Sequence, residues 1–281
     1  MIHTLDRTIA PNINPIDRFH LPKVETVSFS NGTSLHKFAL GKQPVVRVEW
    51  IFNSGSRNEN KNGTSFFTAK MLAEGTTSHN SMQIQEYLAQ FGAFLEINPG
   101  NERINITLFC LEKYVSELVP FIKHLLTEST FPEEQLDKMK QIQRQGIQVN
   151  QEKTAYLAGV AFRELLFNNN HPYGKHLTLE AIDAITQADL ISFFKSELEK
   201  KQCDIIITGG LSTDAVTHLE KLFGTEVTHS VNAKSALPAF KKAEKEFIIK
   251  KEDSVQSSIR YGRMLFNHTN QDYFDVYVLN E

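Results

Sequence analysis

Two alternating stretches limit what this chain can fold into more than any other feature. In residues 45–53, Val46, Val48, Trp50 and Phe52 fall on one face and Arg47 and Glu49 on the other. In residues 103–111, Ile104, Ile106, Leu108 and Cys110 recur at every second place, with Asn105 and Thr107 between them. That period belongs to a strand with one face on a core and the other turned away from it, the signature of antiparallel pairing. An apolar sheet face has to be covered, so the rest of the chain must supply the covering layer.

Helical segments supply it. Residues 81–91 carry Ile84, Tyr87, Leu88 and Phe91 on one face, with Asn80 or Ser81 as the cap and Gly92 as the stop. Residues 112–129 are amphipathic, and Pro132 opens a helix over residues 133–151 at a position where proline is tolerated. Residues 154–167, 189–199 and 213–223 read as further helices, the last closed by Gly224. Between them lie a hairpin at residues 24–40 around Asn31-Gly32, a strand at 93–98 before Pro99-Gly100, and a compact apolar strand at 203–208. The predicted class is α+β, a mostly antiparallel sheet layered with helices, over residues 24–225.

Residues 1–23 contain Pro11, Pro15 and Pro22 and read as an extended arm; residues 226–244, with Pro238, read as a linker. Residues 245–250 and 255–266 are expected to be strands and 270–281 a helix. A tail this short cannot bury a core of its own, so it either packs on the first domain or begins a second, similar one.

Composition excludes several roles. A net charge of −3 gives no field for nucleic acid or an anionic membrane, and Lys241, Lys242, Lys245, Lys250 and Lys251 are interleaved with Glu244, Glu246 and Glu252. Cys110 and Cys203, the only cysteines, read as buried free thiols. The charged start is not that of a signal peptide, and no run approaches the ~18 apolar residues of a membrane span. A cytoplasmic protein without membrane insertion is expected. No nucleophile elbow, P-loop or dinucleotide fingerprint is present, and Gly209-Gly210 after a strand reads as a turn.

Residues 63–76 read as a short buried helix: Phe66, Phe67, Ala69, Met71 and Leu72 leave almost no polar face, and Gly75 stands where it would end. Its setting carries a resemblance. Phe52-Asn53-Ser54-Gly55-Ser56-Arg57, then Gly63-Thr64-Ser65, then Glu74-Gly75-Thr76, resembles the start of insulinase/pitrilysin-family peptidases, relatives of the mitochondrial processing peptidase and the bc1 core proteins. The likeness continues through Phe91-Gly92-Ala93, His171-Pro172-Tyr173-Gly174 and Gly209-Gly210. Val255-Gln256-Ser257-Ser258-Ile259-Arg260-Tyr261-Gly262 looks like the opening of the second domain in bacterial two-domain members.

In that family the helix carries the inverted zinc motif H-x-x-E-H, whose first and last residues share a face and whose glutamate is the general base. Aligned on the glycine before and Met-Leu after, those positions hold Phe66, Ala69 and Lys70. The third ligand, a glutamate on a later helix, falls near Gly146, and residues 141–150 contain no Asp, Glu or His. The resemblance therefore implies a chain with no catalytic residue, no metal ligand and no cofactor of its own, zinc being expected only in a partner. Other groupings are weaker. Glu74 and His79 lack a third partner, His171 and His176 read as ordering a loop, and His124 reads as surface or satisfied core.

Family enzymes are clamshells in which an extended peptide adds a strand to the edge of the zinc-domain sheet. The matching edge here is Phe94, Leu95, Glu96, Ile97 and Asn98, whose plain reading is an ordinary edge strand. Some family members pair a zinc-bearing subunit with one that has lost the motif. The resemblance thus implies the non-zinc subunit of a heterodimeric peptidase acting on extended peptides. The alternatives are a structural subunit like the bc1 core proteins and, more remotely, an enzyme with a different metal site.

Overall fold

The computed structural model describes residues 8, 10, 22–39, 41, 43–199, 201–210, 213–225, 246–252 and 254–280. The first alternating stretch becomes strand β3 (Val45–Phe52), inside a six-stranded sheet. Strands β1 (Glu25–Ser28) and β2 (Ser34–Ala39) form the expected hairpin. Its turn is fixed by Asn31, whose Oδ1 accepts from Thr33 N at 3.0 Å, and by Gly32 at φ 86°. Strands β4 (Phe94–Pro99) and β5 (Ile104–Leu111) form a second hairpin, and β6 (Cys203–Gly209) completes the order β1-β2-β6-β3-β5-β4. Four of the five pairings are antiparallel; β2 and β6 run parallel.

The alternation does what it implies. Val46, Val48, Trp50, Ile104, Leu108, Ile205 and Ile207 are wholly buried on the covered face. Helix α3 (Val115–Glu128) buries its apolar stripe, and α8 (Thr213–Phe223), which packs against α3, sets Phe223 5.5 Å from the Trp50 ring. On the other face Arg47 and Asn105 bond the Glu49 carboxylate at 2.8 and 3.1 Å.

The remaining helices are α1 (Thr64–Met71), α2 (Ser81–Gln90), α4 (Glu133–Gln151), α5 (Thr154–Phe167), α6 (Leu179–Ala184), α7 (Gln187–Glu197) and α9 (Tyr273–Leu279). Asn80 caps α2 in a reciprocal box with Gln83, as its sequence suggests. Helix α6 has no counterpart in the sequence reading. It is held by Thr178, whose hydroxyl accepts from Ala181 N, and is too short for a helical period to emerge. Helix α1 is also shorter than expected: it ends at Met71, and Gly75 instead bridges to Asn80, its carbonyl accepting from Thr130 N at 3.0 Å.

The strands expected in residues 245–250 and 255–266 are not formed among the described residues. A strand needs a neighbour for its N–H and C=O groups, and here Val255, Ile259 and Tyr261 are 99%, 86% and 100% exposed. Ser258 meets Thr154 at 3.1 Å and Lys251 meets Glu152 at 2.7 Å, so this stretch touches the start of α5 and the residue pair before it. Most of the proposed arm and the whole of the proposed linker, residues 226–244, lie outside the described residues.

Candidate functional site

Helix α1 is started by a carboxylate that lies outside it. Gly63 adopts φ 93°, and Glu59 accepts from Gly63 N at 3.0 Å and Ser65 N at 2.9 Å, satisfying donors that open every helix. Burial pushes the Glu59 pKa up, while the two backbone bonds and the Lys175 charge pull it back. Phe67, Ala69 and Met71 are wholly buried, and the helix packs on α7, β4 and α4. Phe66 is half-buried, its ring edge-on to Phe67 at 5.4 Å.

The positions that the family resemblance aligns with the zinc ligands do not fit the metal. Phe66 offers no lone pair, Ala69 offers no base, and Lys70 offers an ammonium that repels a cation. Gly146 lies exposed on α4 with no side chain to contribute. Among the described residues no group of three or more His, Cys, Asp or Glu is gathered as a metal would need. Lys70 has taken another contact: its Nζ donates to the Ile97 carbonyl at 3.0 Å. The sequence gives no sign of this bond, because it joins α1 to β4 across a chain reversal.

Strand β4 is one edge of the sheet. Phe94, Glu96 and Asn98 are exposed, while Leu95 and Ile97 are half-buried against the core. At the hairpin end Gly100 N donates to Arg103 O at 2.8 Å. Antiparallel pairs alternate between bonded and non-bonded, so with Ile97 opposite Ile106 the N–H and C=O of Leu95 and Ile97 point away from β5. The five residues singled out in the sequence therefore do form an edge, but only Leu95 and Ile97 offer its outward groups.

A hollow of about 480 Å³ lies at the end of this edge, lined by Asn98, Glu102, Arg103, Asn105 and Tyr173 among others. Tyr173 donates its hydroxyl to Glu102, and Arg57 Nη1 reaches both Glu102 oxygens at 3.2 Å. Burial, then Glu102, pushes the Tyr173 pKa up to about 12. His171 is wholly buried and accepts from Tyr173 N at 3.1 Å through Nδ1. Burial first, then Arg57, lowers its pKa. His176 instead pairs with Glu164 at 3.0 Å, so the two histidines order a loop and its anchor to α5 rather than converge. Glu74 bonds Ser81, and His79 meets His124 around Ser78, at 2.7 and 2.9 Å from its hydroxyl.

Sheet, helix layer and a short buried helix beside an open edge define a metallopeptidase-like domain with no gathered metal ligands among the described residues. Residues 40–177 match the family described as Insulinase (Peptidase family M16), so the chain carries a peptidase M16 domain, and it does so without the zinc motif. It is similar to "Non-peptidase homolog YmxG" of Helicobacter pylori, 26% identical over 174 residues, which is 61% of this chain and 40% of that one. It is also similar to the bovine (Bos taurus) "Mitochondrial-processing peptidase subunit beta", 22% identical over 232 residues, 79% of this chain and 46% of that one. Among solved structures, a peptidase M16 inactive domain from Pseudomonas fluorescens superimposes with a TM-score of 0.70 at 22% identity, covering 77% of this chain and 54% of that one. The chain spans about half the length of the curated relatives it matches. No helix among the described residues is long and apolar enough to cross a membrane.

Proposed function

We propose that this chain is the zinc-free subunit of a heterodimeric metallopeptidase, and that it helps a zinc-bearing insulinase-family sister enclose and position extended peptides. The observation that carries this reading is the combination at α1: a short helix kept as a buried element, next to an open sheet edge, with Phe66, Ala69 and Lys70 where the family resemblance would put ligands and base. In this reading peptide lies along Phe94, Leu95, Glu96, Ile97 and Asn98, since main-chain strand addition needs no metal. Residues 24–225 are the first domain and 245–281 the start of a second. The two buried free thiols suit the reducing cytoplasm in which we place it.

The test is to mix the purified chain with a zinc-bearing family member from the same organism. Co-elution as one complex, with peptidase activity above that of the sister alone, is expected. No complex and no gain in activity would sink the reading, and a complex without gain would make the chain a scaffold like the bc1 core proteins.

A further inference from the structure

We propose that the β4 edge is built for an extended peptide that ends in a free carboxylate, held by the Lys70 ammonium. The inference rests on the strand-addition reading above and names the class of peptide. The open edge is short. Ala93 N is already taken by the Leu88 carbonyl at 3.0 Å, Pro99 has no N–H to give, and the Ile97 carbonyl already accepts from Lys70, so the outward pair of Leu95 and the N–H of Ile97 are what remain open. Two such residues offer an added strand few bonds, and something else has to fix its end.

Lys70 is placed to do that. Its Nζ lies 3.0 Å from the outward carbonyl of Ile97, so the ammonium sits at the open edge and not under the sheet. That bond uses one of its three donors, and no other partner for Lys70 occurs among the described residues. Among the described residues no carboxylate pairs with it: the acid of β4, Glu96, belongs to the opposite face of the strand from Leu95 and Ile97, and Glu74, one turn further along the chain from α1, is engaged by Ser81. A half-buried cation with spare donors at a strand edge favours an anion over a neutral amide. Within a peptide that adds to this edge, the group that supplies such an anion without depending on any side chain is the terminal carboxylate. An internal stretch of peptide would set a carbonyl there and leave the charge unmatched.

The experiment uses the whole chain and a fluorescein-labelled peptide of alternating valine and threonine, made as the free acid and as the terminal amide. Anisotropy titration is expected to show the acid binding at least about tenfold more tightly than the amide, the ratio a charge-assisted bond gives. Lys70→Met should abolish that ratio by weakening the acid alone, and Lys70→Arg should keep it. Raising the salt concentration should shrink the ratio in the unaltered protein, a readout that does not depend on any variant folding. Equal binding of acid and amide, with amide exchange slowed at Leu95 and Ile97, would overturn the carboxylate assignment and leave strand addition standing. Binding of neither peptide would overturn both.

Discussion

Replacing Phe67 and Phe66 separately by alanine tests whether α1 has become a structural element. The two rings are neighbours in sequence and meet edge to face with centroids 5.4 Å apart, yet Phe67 is wholly buried and Phe66, which the resemblance aligns with a zinc ligand, is half-buried. Truncating a fully buried phenylalanine removes its transfer free energy and leaves a cavity, about 3–5 kcal/mol in total. For Phe66 the buried share of the ring is smaller and solvent can fill the gap, so the expected loss is about 1–2 kcal/mol. In a domain of this size each kcal/mol lowers the melting temperature by roughly 2–4 °C, so Phe67→Ala should melt roughly 6–20 °C lower. Urea and thermal unfolding followed by far-UV circular dichroism would measure both. Equal losses, or a loss below about 1 kcal/mol for Phe67→Ala, would refute the claim that this helix is now held by packing on its Phe67 side.

Three further outcomes are expected. Glu59 has a folded-state pKa above its ordinary value of 4.5, so the unfolded chain ionises first as pH rises and the folded state holds the proton longer. Its contribution to stability is therefore greatest in acid and falls through the window just above 4.5; the difference between wild type and Glu59→Gln, from urea midpoints at several pH values, should decline across that window and then level. Gly209→Ala should cost about 2 kcal/mol or more, because the residue sits at φ 128° and a Cβ there would stand 2.1 Å from the Val45 carbonyl; an unchanged melting curve would contradict this. The triple variant Phe66→His, Ala69→Glu, Lys70→His should still hold less than one zinc per chain after dialysis, since Gly146 supplies no third ligand; stoichiometric zinc by metal analysis would show another donor at work.

Periodicity made the layered fold legible wherever an element had an apolar face longer than two turns or four alternating places. The helices at Glu133–Gln151, Thr154–Phe167 and Thr213–Phe223 and the strands around Trp50 and Ile106 were all readable in that way. Helix α6 was not, because six residues fixed by the Thr178 hydroxyl carry their signal in one hydrogen bond. In residues 255–266 the composition is strand-like, but pairing is a property of two segments, and no partner segment is present among the described residues. The site divides in the same manner. That Phe66, Ala69 and Lys70 cannot bind zinc follows from their side chains alone. That Lys70 reaches Ile97, that Glu59 starts the helix, and that Tyr173 and Arg57 share Glu102 are facts of tertiary proximity, which no local pattern encodes.

The place of β6 in the sheet governs how the chain can reach this state. It lies between β2 and β3, pairing Phe38 with Thr208 in parallel and Trp50 with Ile205 antiparallel, so the centre of the sheet waits for residues 203–209. On a ribosome β3 would emerge long before its second neighbour, with Val48 and Trp50 uncovered and its unpaired edge a template for other chains. Loop closure over that span makes sheet completion slow and late. The hydrophobic centre that makes the finished domain stable is thus, during synthesis, the segment most in need of a chaperone, and a chain halted before Cys203 would expose it permanently.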